Sequence, residues 1–311
     1  MLEIYQKELK SNSCKDVDDK NNYLVQKMIL KGHNSFVICL IKLNETTIVS
    51  GSIDKSIKVW DIDSGKLLKT IQGHRSSVFC LLKLNEATIV SGSEDNSIKM
   101  WDAVSGVCLM TLLDHTSWVY CLIKLNETII VSGSADKTIK TWNIEKGECL
   151  KTFLGHTKSV WSIIKIDENT ILSGSGDKSI KLWKVYSEEF IQNFDDINGH
   201  EDFVLCLIKF NNTTIVSGSQ DKSIKTWNIE SGKCLKTFQA HDDYVLCLIK
   251  LNETTIVSGS RDKSIQIRNV KSGECLKTLK YHSDSVVCLL KLGENSIASG
   301  SQDKSIRIFK L

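Results

Sequence analysis

Serine, histidine and aspartate recur along this chain at fixed intervals, and together they are the residue types of a nucleophilic triad. The seven histidines, His33, His74, His115, His156, His200, His241 and His282, follow one another at 41 residues, except for one interval of 44. A serine follows each histidine at 17 residues (Ser50, Ser91, Ser132, Ser173, Ser217, Ser258, Ser299) and an aspartate at 21 (Asp54, Asp95, Asp136, Asp177, Asp221, Asp262, Asp303). In five copies a tryptophan stands at 27: Trp60, Trp101, Trp142, Trp183 and Trp227. A catalytic constellation occurs once per site, whereas this one occurs in every copy. It therefore reads as framework, and no catalytic residue is assigned.

Cysteine is the other residue type with chemical potential, and eleven are present. Six sit six residues after a repeat histidine (Cys39, Cys80, Cys121, Cys206, Cys247, Cys288) and four sit seven before one (Cys108, Cys149, Cys234, Cys275). No CxxC pair occurs, and the cysteines fall within apolar strings such as VFCLL and VYCLI. They read as small buried hydrophobes rather than metal ligands. Neither metal nor cofactor is implied, for no Gly-rich phosphate loop or unrepeated acid-base pair appears. Reduced cysteines suit a cytosolic or nuclear location.

The elements that must carry these residues follow from the period. A repeat of about 40 to 45 residues is the signature of a four-stranded blade, and seven blades close into a ring. Residues 33–73, HNSFVICLIKLNETTIVSGSIDKSIKVWDIDSGKLLKTIQG, hold four β-rich runs, FVICLIKL, TTIVSGS, SIKVW and LLKTI, separated by the turn signals NE, SIDK and DSG. The fold expected is all-β, a single propeller of seven four-stranded antiparallel blades over residues 23–311 behind a mobile leader of residues 1–22. The last repeat stops at its third run, SIRIFKL, while QKMILKGH at 26–33 aligns with the fourth-run ending LKTIQGH. The N-terminal segment is thus expected to supply the missing outer strand and close the ring.

Composition narrows the function. The 40 basic and 37 acidic residues, net +3, are spread through every repeat, so no basic block advertises nucleic acid or anionic membrane. No apolar run reaches the ~18 residues of a membrane helix, and the N-terminus lacks a signal-peptide core. A cytoplasmic or nuclear protein is expected.

The residues resemble the WD-repeat family. The likeness rests on Gly-His pairs (Gly32–His33, Gly73–His74, Gly155–His156, Gly199–His200), the SGSxDKS turn, and the Trp-Asp ends Trp60–Asp61 and Trp101–Asp102. It implies that aspartate, histidine, serine and indole form a hydrogen-bonded chain in each blade. Departures mark blades expected to be looser: Arg268 and Phe309 replace tryptophan, Asn143, Lys184, Asn228, Asn269 and Lys310 replace the terminal aspartate, and Asp114, Ala240 and Tyr281 replace the glycine before histidine. The longer interval, KVYSEEFIQNFDDINGH, places Asp195 and Asp196 in an extended connection.

The same resemblance implies which positions open onto the narrow face: three and five residues after the histidine, flanking a constant valine, and the residue before the turn aspartate. The valine is present throughout (Val37, Val78, Val119, Val160, Val204, Val245, Val286). Its neighbours are Phe36 and Ile38, Ser77 and Phe79, Trp118 and Tyr120, Ser159 and Trp161, Phe203 and Leu205, Tyr244 and Leu246, and Ser285 and Val287. Half are aromatic in a chain whose aromatic content is 7%. The positions before the aspartate vary: Ile53, Glu94, Ala135, Gly176, Gln220, Arg261 and Gln302. Variable aromatic residues on a constant framework suit recognition, and Phe36, Phe79, Trp118, Tyr120, Trp161, Phe203, Tyr244 and Arg261 are the expected partner-binding set.

The expected function is a non-enzymatic scaffold that binds a peptide or protein loop, with neither membrane nor nucleic acid expected as a partner, as a monomeric propeller within a larger complex. The rival reading is the substrate receptor of a ubiquitin ligase, since LNETTIVSGS resembles the linker of F-box-type propellers. Phosphopeptide capture calls for convergent arginines, and only Arg261, with Arg75 nearby, stands at the face.

Overall fold

The computed structural model describes residues 25–187, 189–194 and 199–311. The leader at 1–22 and the connection carrying Asp195 and Asp196 lie outside the described residues.

Seven four-stranded antiparallel sheets form the molecule. Blades 1 to 6 begin at Val37, Val78, Val119, Val160, Val204 and Val245 and end at Ile71, Leu113, Phe153, Asn193, Gln239 and Leu279. Blade 7 takes three strands from Val286–Lys310 and its outermost from the N-terminal strand Val25–Lys31. There Leu30 pairs with Ile306 and Ile29 with Arg307. The first strands of successive blades contact one another around the circle, blade 7 meeting blade 1 as the others meet their neighbours. The expected closure is therefore the observed one.

Side-chain volume explains how the blades nest. The constant valine is fully buried in every blade, and it lies against a glycine of the preceding blade. A Cβ built on Gly51 would come 2.8 Å from Val78 Cγ1 and 2.6 Å from Cys39 Sγ. Gly92, Gly133, Gly218, Gly259 and Gly300 meet the same valine and cysteine positions. The strand cysteines are thus small space-filling groups beside a close approach of two sheets, and burial raises their thiols, those of Cys121, Cys206 and Cys288 to about 12.

The outer-strand cysteines behave differently. Cys108 is exposed and Cys149 and Cys234 are half-buried, because their strand has a sheet on one side alone. Nine of the described cysteines are free.

A second contact repeats between blades. Lys42 Nζ donates to Leu292 O at 2.8 Å, and Lys83, Lys124, Lys165, Lys209 and Lys291 reach the equivalent carbonyls of Leu43, Leu84, Leu125, Ile166 and Leu251. In blade 6, Lys250 instead lies 5.1 Å above the Phe210 ring. The turns lack proline because asparagine makes them: Asn44 Oδ1 accepts the Thr46 N–H at 3.0 Å, an Asx turn repeated at Asn126, Asn211 and Asn252.

Candidate functional site

The repeated polar residues form one network per blade. In blade 1, His33 Nδ1 donates to Asp54 Oδ2 at 2.8 Å, the Ser50 hydroxyl donates to His33 Nε2 at 2.7 Å, and the Trp60 indole N–H donates to Ser50 Oγ at 2.8 Å. The histidine–aspartate contact spans 2.7–2.9 Å and the histidine–serine contact 2.6–2.7 Å across all seven blades. Tryptophan completes the chain at 2.7–2.8 Å in blades 1 to 5.

An ionised carboxylate only accepts, so it holds the proton on Nδ1 and leaves Nε2 as acceptor for the serine. Every such serine is fully buried and already engaged, out of reach of a substrate. The arrangement locks the loop before the first strand to the turn between the second and third.

Burial alone would raise the Asp54 carboxyl, but hydrogen bonds from His33, Ser56 and the Asn34 N–H together hold it well below the usual carboxylate range. The same balance holds for the other six aspartates. Burial lowers His156 and His200 against the pull of Asp177 and Asp221.

This framework presents the recognition positions. In every blade the N–H before the turn aspartate donates to the carbonyl three residues after the histidine, as Ala135 to Trp118 at 2.8 Å and Gly176 to Ser159 at 2.9 Å. The two expected sets of face positions are thereby brought side by side. The turn residue after each aspartate, Lys55, Lys137, Lys178, Lys222, Lys263 or Lys304, has φ of 67–74° and is exposed; Asn96 takes this place in blade 2 at 68°.

Four of the expected aromatic residues touch. Phe79 lies 5.7 Å from Trp118 and 5.3 Å from Tyr120, ring centre to ring centre. Trp118 meets Tyr120 edge-on at 6.1 Å, and Tyr120 stacks on Trp161 at 4.0 Å. Gly176 extends the arc to Phe203: its Cβ would lie 3.3 Å from Trp161 Nε1 and 3.6 Å from Phe203 Cδ2, so glycine leaves room for both rings. Lys158 sits 5.0 Å above Phe203.

Exposure is graded within the arc. Trp118 is 41% exposed, whereas Phe79, Tyr120, Trp161 and Phe203 are half-buried. The Trp161 Nε1–H is buried with no hydrogen-bond partner. Tyr244 and Arg261 form a separate pair in blade 6, with the guanidinium 5.1 Å above the ring and 3.9 Å from Asp243. Phe36 is half-buried and makes no ring contact with the arc among the described residues.

Glu94 belongs to the site although the expected set omits it. Its carboxylate accepts from the Ser77 hydroxyl at 2.6 Å and the Ser76 hydroxyl at 2.7 Å, bonds that lower it. Burial, followed by the Glu94 charge, pushes the Tyr120 hydroxyl up to about 12. The signal in the sequence is a single acid at a position otherwise neutral or basic, beside two serines.

A closed ring of seven blades, each pinned by the same buried network, defines a WD-type β-propeller. The chain belongs to the WD40 family: the description "WD domain, G-beta repeat" matches residues 24–61, 65–102, 106–143, 147–184, 190–228, 232–269 and 273–310. The first unit starts in the closing strand, so each unit runs from an outer strand into the next blade. Among solved structures, the chain is similar to the WD40 beta propeller domain of Doa1, with TM-score 0.84 and 26% identity over 93% of this chain and 98% of that one. No curated protein matches the sequence. WD40 propellers are in general non-enzymatic scaffolds that bind proteins or peptides.

Proposed function

We propose that this propeller holds a peptide or protein loop on the arc formed by Phe79, Trp118, Tyr120, Trp161 and Phe203. The observation that carries the reading is the unbroken ring contact from Phe79 to Trp161, across three blades whose frameworks are otherwise near-identical. Aromatic side chains supply large contact area at low entropic cost. Trp118 is the accessible anchor, while Tyr120 and Trp161 form its rigid base. The unpartnered Trp161 N–H is a donor within the same arc.

The phosphopeptide reading draws less support, because Arg261 is already engaged by Asp243 and Tyr244. The setting proposed is intracellular, in cytoplasm or nucleus.

The test is a peptide-display selection on the purified propeller. Enriched peptides should bind Trp118→Ala more weakly by about 2 kcal/mol, as for an interface anchor. Peptides that bind this variant as well as the parent would locate the site elsewhere.

A further inference from the structure

Each blade ends in an outer strand with one edge unpaired, and such an edge is a template for another strand. Six of the seven carry charge there: Lys69 in Leu67–Ile71, Glu148 and Lys151 in Glu148–Phe153, Glu189 in Glu189–Asn193, Lys236 in Cys234–Gln239, Lys277 in Cys275–Leu279, and Lys27 and Lys31 in Val25–Lys31. The blade 2 strand Cys108–Leu113, CLMTLL, carries none, and residues 103–113 form an uncharged run.

A lysine holds the middle of the outer strand in blades 1, 3, 5 and 6, while Met28, Met110 and Gln192 take that position in blades 7, 2 and 4. Lys69 bonds the carbonyls of Val104 and Ser105, and Lys236 bonds that of Lys271 at 2.5 Å, each tying an outer strand to the turn of the next blade. In blade 2 that position is Met110, which packs toward Gly147 instead. The side chains around it face water: Val104 is 72% exposed, Val107 57%, Leu109 51% and Leu113 74%. An apolar strip along an open edge is what a strand needs from its partner.

We propose that Cys108–Leu113 is the surface through which two copies of this chain pair, edge to edge and antiparallel, into a dimer. The choice of a second copy rests on charge. A two-fold antiparallel pairing sets a strand against itself, so the lysine-bearing edges would bring like charges together, which is unfavourable. The blade 2 edge meets its own copy without a charge on either side, and its exposed leucines and valines are covered on both. Dimerisation of this kind leaves the aromatic arc free and takes the place of the monomer expected from sequence.

The experiment is sedimentation equilibrium of the purified chain in reducing buffer, so that the exposed Cys108 thiol cannot cross-link copies. The mass should rise reversibly from one chain to two with concentration. Leu109→Lys combined with Leu113→Lys should weaken the dimer at least tenfold without altering thermal melting, since both side chains are exposed. Leu150→Lys with Leu154→Lys, equally exposed on blade 3, should leave association unchanged. A single-chain mass up to about 1 mM, the weak end of useful affinity, would overturn the proposal, as would a dimer insensitive to the blade 2 pair or equally sensitive to the blade 3 pair.

Discussion

In blade 6 the guanidinium Nη2 of Arg268 donates to the carbonyl of Ala240 at 2.8 Å. These residues occupy the positions that blades 1, 2, 4 and 5 fill with tryptophan and glycine. A Cβ on Gly32, Gly73 or Gly155 would lie 2.9, 2.8 or 3.1 Å from Cη2 of the indole in the same blade. Glycine before histidine is thus a steric consequence of tryptophan, and where the indole is gone an alanine or, at Tyr281, a larger ring is tolerated. Tyr281 packs on Phe309 at 5.5 Å. Asp114 is the exception; it keeps Trp142 and is held by Lys140 at 2.5 Å.

Blade 6, expected to be looser, has contacts of its own at the tryptophan position. Arg268 is 4% exposed and also bonds Gln266 Oε1 and Gly273 O. Burial lowers its pKa. Arg268→Trp alone should destabilise by about 1 to 3 kcal/mol, from overpacking against Ala240 and from carbonyls left without a donor. Adding Ala240→Gly should recover part of that loss. Chemical denaturation of the two singles and the double gives the coupling, and strict additivity would remove the steric explanation.

Asp177→Ala should cost about 1 to 3 kcal/mol. It removes the acceptor of His156 Nδ1 at 2.8 Å and of the Thr157 N–H at 2.9 Å. Peptide binding should persist in the folded fraction. An unchanged melting temperature would show that the network does not contribute to stability.

Acid should unfold the protein in two stages. His156 and His200 bind a proton less readily folded than unfolded, so the unfolded chain takes up more protons below about 6.5 and stability falls. The seven network aspartates, held low when folded, act in the same direction as pH drops through about 4. Melting temperature should be level from about pH 7 to 8, decline gently toward pH 5 and drop steeply below 4, and it should fall again above about pH 9, where the unfolded chain loses thiol protons that the buried cysteines keep. A profile flat from pH 7 to 4 would contradict this assignment.

Ring closure depends on Leu30, which is buried against Val37, Trp60 and Ile306 at the junction of blades 7 and 1. Removal of residues 1–31 should expose the edge of Ser305–Lys310 and promote aggregation, whereas removal of residues 1–20 should leave melting and solubility as they are. Light scattering on heating distinguishes the two truncations; identical behaviour would argue against a closing role.

Trp118 and Trp161 should separate binding from stability. Trp118→Ala removes an accessible ring and should barely shift melting, while Trp161→Ala removes the partner stacked on Tyr120 and should cost about 1 to 3 kcal/mol. Melting curves of both variants, read beside their peptide affinities, test the division between anchor and base.

By itself the sequence determined the period, the number of blades and the closing strand, because these follow from spacing along the chain, while the membership of each buried network is what the resemblance to the WD-repeat family implies. The offsets of 17, 21 and 27 residues place serine, aspartate and tryptophan around a histidine wherever the repeat folds. What the tertiary structure alone decided concerns residues of different blades. Phe36 and Trp118 hold equivalent positions in their repeats, yet only Trp118 joins an arc, because the preceding blade supplies Phe79 at packing distance beside Tyr120 of its own blade. Within blade 6, Arg268 departs from tryptophan in the sequence, and the fold brings the carbonyls of Ala240 and Gly273 to its guanidinium. Periodicity fixes the backbone address of a side chain, while its contacts depend on rotamer and on the volume of residues about forty positions away, quantities that exist only once the ring is closed.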